Sequence, residues 1–177
     1  MTTLVADGIQ LSTDSQVSSG TLILPNEKKH AFEGGYLFAW TGVSYVGKPL
    51  IAWYLAGADP LKYPEFRSQD HFTFVVLHRT HAEEFRNEQP YADPCPYPYV
   101  AGSGHVVAIG AYHICKSTSQ AVHAACALDT LTREPVHTVD IPDTVPVTEK
   151  KKRAQTRRKT RRKTRRKIEL DPRKPRL

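Results

Sequence analysis

The sequence predicts an α+β fold in which antiparallel β-sheets are covered by helices. Apolar segments with the two-residue period of strands and amphipathic segments of helical period follow in a defined order: several strands, one helix, two strands, two helices and a last strand. Because the strands come in groups, the pattern favours packed sheets over the regular βαβ repeat of a parallel sheet. With 177 residues, 40% of them hydrophobic, the chain can form one such domain and an appendage.

The first predicted element is a β-hairpin at residues 2–14. Residues 2–6 are apolar and β-branched, Asp7-Gly8 is a two-residue hairpin signal, and residues 9–14 alternate as the returning strand. The return strand would carry Asp14 back beside the N-terminus. Removal of Met1 would leave Thr2 with a free α-amine next to its hydroxyl, and that pair can act as base and nucleophile within one residue.

The elements after the hairpin are predicted from the same periods and from turn-forming residues. Residues 15–20 are polar and predict a turn. The prolines between 90 and 98 exclude a central strand there, since each proline removes a backbone donor. Ser119 is the predicted N-cap of the last helix. We expect strands at residues 21–24, 36–42, 71–78, 84–88, 99–101 and 136–141, and helices at 48–55, 105–115 and 120–131.

Composition and spacing exclude several classes of protein. Cys95, Cys115 and Cys126 form no CxxC motif and no even disulfide framework, so we expect free thiols in a reducing compartment. The sequence shows no signal-peptide pattern and no run of about 18 apolar residues, so we expect a cytoplasmic protein without a membrane partner. The histidines show no zinc-ligand spacing, and Gly102-Ser-Gly104 is only part of a dinucleotide fingerprint, so we assign no metal and no cofactor.

The charge divides the chain into two parts. Residues 1–143 carry 9 basic and 15 acidic side chains, for a net charge of −6, whereas residues 144–177 carry 16 basic and 3 acidic ones, for +13. Thr-Arg-Arg-Lys occurs three times within residues 150–167. Such a segment buries nothing apolar, so we predict one domain at 1–143 and a linker with a disordered basic tail at 144–177. The tail would either bind nucleic-acid phosphates or serve only as a solubilising extension.

An ordered set of short motifs resembles the proteasome β-subunit and HslV-type peptidases, in small bacterial or phage versions. These are N-terminal-nucleophile hydrolases, and the resemblance covers roughly residues 2–141. It implies a four-layer αββα sandwich of two antiparallel sheets. One departure is that Arg133 follows the last motif, where proteasome subunits have glycine. The motifs are Thr2-Thr3 before an apolar strand, Asp14 in Thr-Asp-Ser-Gln, Asn26-Glu-Lys-Lys29, Trp40-Thr-Gly42, Gly102-Ser103-Gly104 and Asp129-x-x-Thr132.

The resemblance implies that Thr2 is the nucleophile. Its hydroxyl would attack a peptide carbonyl, with its own α-amine as the general base. Lys29 would lower the pKa of that amine by like-charge repulsion, and Asp14 would pair with Lys29 and hold it charged. A lysine in such a position is, taken on its own, more often an ordinary solvated surface charge.

The resemblance also implies roles for four residues further along the chain. The backbone N–H of Gly42 would stabilise the oxyanion, a contribution of about 3 kcal/mol. Ser103 would hydrogen-bond near the Thr2 amine and relay protons, while Asp129 and Thr132 would brace the site. Three of them also have an ordinary structural interpretation: Gly42 as a turn glycine, Ser103 as a helix cap and Asp129 as a polar helix end.

The sequence therefore predicts a threonine endopeptidase in the cytoplasm of a bacterium or a phage-infected bacterial cell. The resemblance implies protein or peptide substrates, a homo-oligomeric ring with the Thr2 sites facing an inner chamber, and feeding by an ATP-driven unfoldase. Two alternatives stay open. One is a catalytically silent protein of the same fold that binds nucleic acid or an assembly through residues 150–167, and the other is a small-amide hydrolase of the same superfamily.

Overall fold

The computed structural model describes residues 2–19, 22–24, 27–87 and 89–143. The predicted basic tail at 144–177 lies outside the described residues, so its boundary, its disorder and its nucleic-acid binding stay predictions. Asn26 of the Asn-Glu-Lys-Lys motif lies outside them as well.

The described residues form strands and three α-helices. The helices follow in the predicted order, but four strands rather than two separate the first helix from the second. None of these helices is long and apolar enough to cross a membrane. The strands are β1 (Thr3–Ala6), β2 (Gln10–Thr13), β3 (Val17–Ser19), β4 (Leu22–Leu24), β5 (His30–Glu33), β6 (Tyr36–Gly42), β7 (Phe72–Leu77), β8 (Ala82–Arg86), β9 (Gln89–Cys95), β10 (Tyr99–Gly102) and β11 (His137–Asp140). The helices are α1 (Gly47–Leu55), α2 (His105–Cys115) and α3 (Thr118–Leu128).

A four-stranded antiparallel sheet carries the N-terminus, in the strand order β10-β1-β2-β11. Thr3 at the start of β1 pairs with Gly102 at the end of β10, and Leu4 pairs with Thr13 at the end of β2. Thr13 pairs in turn with His137, the first residue of β11. One end of this sheet therefore brings together four points of the chain: the starts of β1 and β11 and the ends of β2 and β10.

The second large sheet has five antiparallel strands in the order β5-β6-β7-β8-β9. Its strands follow one another along the chain, so each pair is a simple hairpin except β6–β7, which encloses α1. The proline-rich strand β9 was not predicted, but it lies at the edge, where missing donors do not interrupt a ladder, so the exclusion of a central strand holds. β3 and β4 form a separate two-stranded sheet.

Three apolar clusters define four layers. One cluster lies between the two large sheets and includes Leu4 and Leu11 from the first and Leu37 and Val75 from the second. A second cluster joins the outer face of the five-stranded sheet to α1, and a third joins Val5 on the outer face of the four-stranded sheet to α2 and α3. The side chains of Leu4 and Val5 are neighbours in sequence and point to opposite faces, as the period of a strand requires. The predicted αββα sandwich is confirmed.

The first turn, two strands and the start of the last helix also differ from the sequence prediction. The N-terminal turn is centred on Gly8-Ile9 rather than Asp7-Gly8, because the N–H of Asp7 still pairs with the carbonyl of Gln10 at 3.2 Å. Strand β3 occupies part of the predicted turn at 15–20, and strand β5 was not predicted. Helix α3 begins at Thr118 with Ser117 as its N-cap, not Ser119, because the hydroxyl of Ser117 accepts the N–H of Gln120 at 3.3 Å.

Candidate active site

The N-terminal segment is held against the loop between β10 and α2. Thr2 is buried, and its carbonyl accepts the backbone N–H of Ser103 at 3.1 Å. Gly102, just before Ser103, has φ +102°, a conformation that side chains rarely adopt, and an added Cβ there would overlap the carbonyl oxygen of Thr2. The glycine therefore allows the two backbones to approach closely, and this approach fixes the position of Thr2.

Asp14, directly after β2, links the N-terminal strand to three other segments. Its side chain is fully buried. One carboxylate oxygen accepts the N–H of Thr3 at 2.8 Å and lies 3.4 Å from Nζ of Lys29. The other oxygen accepts the N–H groups of Gln16 at 3.1 Å and of Arg133 at 3.3 Å. A buried charge is tolerated only with such partners, so Asp14 is a structural anchor as well as a candidate catalytic group.

Lys29 is a buried cation, not a surface charge. It is 3% exposed, and its Nζ also donates to the carbonyl of Gln16. The N–H of Trp40 in β6 donates to the carbonyl of Lys29 at 3.0 Å, so β6 holds the backbone at this position. Burial lowers the pKa of Lys29 and outweighs the opposing effect of the Asp14 carboxylate. This amine therefore exchanges its proton at a lower pH than a solvated lysine does.

A directed chain of hydrogen bonds leads from α2 through Thr3 to Asp129. The N–H of Gly104 donates to Oγ1 of Thr3 at 2.9 Å, and Thr3 lies 2.6 Å from Oγ1 of Thr132. Thr132 donates its single proton to Asp129 at 2.5 Å, so Thr3 must be the donor to Thr132. The donor and the acceptor of each hydrogen bond in this series are thus fixed.

Ser103 is a second hydroxyl donor to Asp129, at the end of this series of hydrogen bonds. Its hydroxyl donates to the same oxygen of Asp129 at 2.7 Å. Helix α2 has Gly104 at its N-cap without a side-chain cap, so the helix-cap interpretation of Ser103 is wrong. Burial acts to raise the pKa of Asp129, but the hydrogen bonds from Ser103, Thr132 and the N–H of Leu131 hold it below the ordinary value. Asp129 is therefore an ionised acceptor at neutral pH.

Gly42 lies at the end of β6, outside these hydrogen bonds as far as the described residues show. Its φ is +83°, and an added Cβ would overlap the carbonyl oxygen of His71 at the start of β7. The position therefore requires glycine for its backbone alone. Trp40, two residues earlier, pairs with Lys29, so Gly42 follows the segment that holds Lys29. The oxyanion role of its N–H stays a prediction.

The structure thus brings six of the seven predicted residues into two joined clusters. Thr3 joins them, because its N–H is bonded to Asp14 and its hydroxyl to Thr132. Sequence reasoning missed Thr3, Gln16 and Gly104 as contacts. Thr3 is a polar, β-branched residue next to the proposed nucleophile, and that was a signal, but the partners of its hydroxyl are more than 100 residues away in the sequence.

The geometry supplies a buried cation of lowered pKa, an ionised acid and a fixed relay of hydroxyls around one chain terminus. Both carboxylates of these clusters are engaged by protein donors, so this arrangement suits proton transfer and charge stabilisation rather than metal binding. Among the described residues, a group with metal-ligating geometry lies elsewhere, at His78, His81 and Glu83.

Comparison with known proteins identifies the fold. No protein-family model and no curated protein matches the sequence. Solved structures do match. Thiobacillus denitrificans BPH in complex with epoxomicin has a TM-score of 0.59 and 16% identity, over 82% of this chain and all of that one. A second structure of Thiobacillus denitrificans BPH has a TM-score of 0.58 and 16% identity, over 81% of this chain and 98% of that one. HslV from Trypanosoma brucei gives 0.59 and 13%, over 80% of this chain and 99% of that one. The predicted likeness to the HslV and proteasome fold is thereby confirmed.

Proposed function

We propose that this chain is a threonine-type peptidase whose nucleophile is the hydroxyl of Thr2, set free at the N-terminus by removal of Met1. The observation that carries the proposal is the Asp14 carboxylate, which binds both the N–H of Thr3 and Nζ of Lys29. A single buried acid thereby holds the residue beside the nucleophile and the cation that would tune it.

The reaction follows from the groups at this end of the sheet. The free amine of Thr2 accepts the hydroxyl proton as Oγ attacks the carbonyl carbon of the substrate, and the N–H of Gly42 stabilises the oxyanion. The C–N bond then breaks, the leaving amine takes the proton, and water hydrolyses the acyl ester to free Thr2. Ser103, fixed on ionised Asp129, would guide the proton between the amine and the reacting atoms.

The buried cation explains how the amine could work near neutral pH. An α-amine has an ordinary pKa near 8, and a nearby positive charge lowers it. Lys29 is held charged by Asp14 and made less basic by burial. It can therefore repel the protonated amine and also stabilise negative charge on Oγ.

Substrate class and assembly are supported by fold likeness alone. The similar structures are HslV and BPH, and one of the BPH structures is a complex with epoxomicin. We infer protein or peptide substrates, a homo-oligomeric ring and an ATP-dependent unfoldase partner, in a bacterial or phage-infected cytoplasm.

The proposal is tested by intact mass and peptide hydrolysis. We expect the purified chain to lack Met1, to form one adduct with an epoxyketone such as epoxomicin, and to cleave unfolded peptides. Thr2→Ala should abolish the adduct and the cleavage, whereas Thr2→Ser should keep both, because serine supplies the same amine and a hydroxyl. Full cleavage by Thr2→Ala, or by chain that retains Met1, would contradict the mechanism. Hydrolysis of small amides but not of peptides would instead favour the small-amide hydrolase.

A further inference from the structure

A second cluster of chemically active side chains lies at the hairpin that joins β7 and β8. Nε2 of His78 lies 3.5 Å from one carboxylate oxygen of Glu83, and Nε2 of His81 lies 3.8 Å from the other. The two imidazole rings stack with centroids 4.7 Å apart and planes 13° apart. One ligand atom from each residue can be chosen so that all three lie within 4.8 Å of one another.

Both histidines offer an available nitrogen to this point. Nε2 of His78 is buried and makes no well-aligned hydrogen bond with the described residues, although a carboxylate oxygen of Glu83 lies 3.5 Å away. Nδ1 of His81 lies 3.0 Å from the hydroxyl of Thr80, which can accept its proton and leave the lone pair on Nε2 facing Glu83. A buried nitrogen whose contact with its acidic neighbour is long and poorly aligned loses hydrogen-bond free energy, and a metal ion bound between His78 and Glu83 would offset that loss.

The surrounding residues hold the cluster rigid. The N–H of His78 donates to the carbonyl of His81 at 3.0 Å, which closes the turn. The hydroxyl of Tyr97 lies 2.6 Å and 3.2 Å from the carbonyl oxygens of the same two residues. Tyr54 donates to Glu83 at 2.7 Å, as the outer partners of metal-bound carboxylates do.

We propose that His78, His81 and Glu83 form a binding site for a divalent transition metal, with Zn²⁺ as the best fit. In a tetrahedral zinc site with bonds of about 2.0–2.1 Å, neighbouring ligand atoms lie about 3.3 Å apart. The Nε2 atoms of His78 and His81 lie 3.5 and 3.8 Å from different oxygens of Glu83, close to that spacing. The two stacked rings would have to turn toward one another for both nitrogens to bind one ion. Two imidazoles and one carboxylate suit zinc, and water would fill the fourth position.

This site lies at the far end of β7 from Gly42, whose N–H is the proposed oxyanion donor. Strand β7 runs from Phe72, which pairs with Gly42, to Leu77, which is followed directly by His78. Six residues of strand span about 17 Å, so the metal would lie at the opposite end of β7 from Gly42. Its role would be to clamp the hairpin. The sequence pattern His-x-x-His-x-Glu spans a β-turn, a spacing that differs from the usual zinc motifs of helices and CxxC turns.

The test uses the full-length chain after treatment with a chelator. Zn²⁺ is titrated by calorimetry, and Co²⁺ is added separately because tetrahedral Co²⁺ absorbs visible light strongly. We expect one tightly bound Zn²⁺ at this site, a Co²⁺ spectrum typical of tetrahedral geometry, and a higher melting temperature with Zn²⁺. His81→Gln and Glu83→Gln should each weaken Zn²⁺ binding by about tenfold or more and remove the Co²⁺ spectrum.

The matched control is His123→Gln. His123 is an exposed histidine that also pairs with a carboxylate, that of Glu134. This variant should bind both metals like the unaltered chain. His81 is 38% exposed, so its replacement by glutamine leaves the core intact, and melting in chelator would verify the fold. Unchanged Zn²⁺ affinity in His81→Gln, or no binding by the unaltered chain, would overturn the proposal and identify the cluster as histidine–glutamate ion pairs only.

Discussion

Gly102→Ala perturbs the proposed site through the backbone alone. The new Cβ would overlap the carbonyl oxygen of Thr2 and lie 2.5 Å from its carbonyl carbon, where real Cβ contacts are essentially never under 3.0 Å. Either the Thr2 carbonyl or the end of β10 must move, by about 1 Å or more. The movement would break the 3.1 Å hydrogen bond from Ser103 and shift the proposed nucleophile.

The expected magnitudes follow from two costs. A non-glycine residue at φ +102° carries about 1–3 kcal/mol of backbone strain. Loss of the Ser103 hydrogen bond adds about 1 kcal/mol. We therefore expect Gly102→Ala to lower the free energy of unfolding by about 2–4 kcal/mol. Because a shift of about 1 Å in a catalytic group can cost about 100-fold in rate, peptide hydrolysis by the folded fraction should fall by about that factor.

The measurement pairs urea unfolding with peptide hydrolysis, and Gly110→Ala is the control. Gly110 lies within α2, and nothing lies within 4 Å of its added Cβ. An alanine in a helix interior stabilises by about 0.5–1 kcal/mol relative to glycine, so this variant should gain stability and keep its activity. If Gly102→Ala unfolds within about 1 kcal/mol of the unaltered chain and hydrolyses peptides at a similar rate, the close approach of Gly102 does not position Thr2.

Three further predictions concern Lys29, His30 and the tail. Lys29→Ala should abolish most peptide hydrolysis, and Lys29→Arg should not restore it because a guanidinium is bulkier and forked; similar rates in Lys29→Ala and the unaltered chain would remove Lys29 from the mechanism. Burial, His137 and Lys28 lower the pKa of His30 from 6.5 to about 4. Between pH 6.5 and about 4 the imidazole of His30 is therefore protonated in the unfolded chain but neutral in the folded one, so the free energy of unfolding should fall as the pH drops through this range. Urea midpoints measured across the same range should fall less in His30→Gln. Truncation after Val145 should leave peptide hydrolysis and core stability unchanged but strongly weaken binding to a random DNA duplex, which in the full chain should fall steeply with salt; equal DNA affinity of both chains would refute a nucleic-acid role for the tail.

The helices and the central strands could be predicted because their signals are local. The bounds predicted for the second helix match α2, and residues 36–42 form β6, since an uninterrupted apolar period needs no tertiary information. Strand β5 was missed because only two of its four residues, Ala31 and Phe32, are apolar. Its pairing with β6 stabilises a strand that its own composition does not predict.

The site was predictable in its members but not in its connections. The resemblance of the short motifs around Asp14 and Lys29 implied this pair, whose members lie 15 residues apart. The bond between Thr3 and Thr132 spans 129 residues, and it depends on the register that places β1 between β2 and β10. Such contacts follow from topology, which local patterns do not encode.

The departure at Arg133 has a physical explanation in this topology. Arg133 contributes to the site only through its backbone: its N–H donates to Asp14 at 3.3 Å, and its carbonyl accepts the N–H of Ser15 at 3.2 Å. The residue itself is exposed, so its charge does not enter the buried cluster. Arginine can therefore replace a glycine here without altering either hydrogen bond. The site therefore depends on the path of the backbone after Thr132 and not on the side chain of residue 133. The hydrogen bond from Thr132 to Asp129 and the one from the Arg133 N–H to Asp14 hold that path.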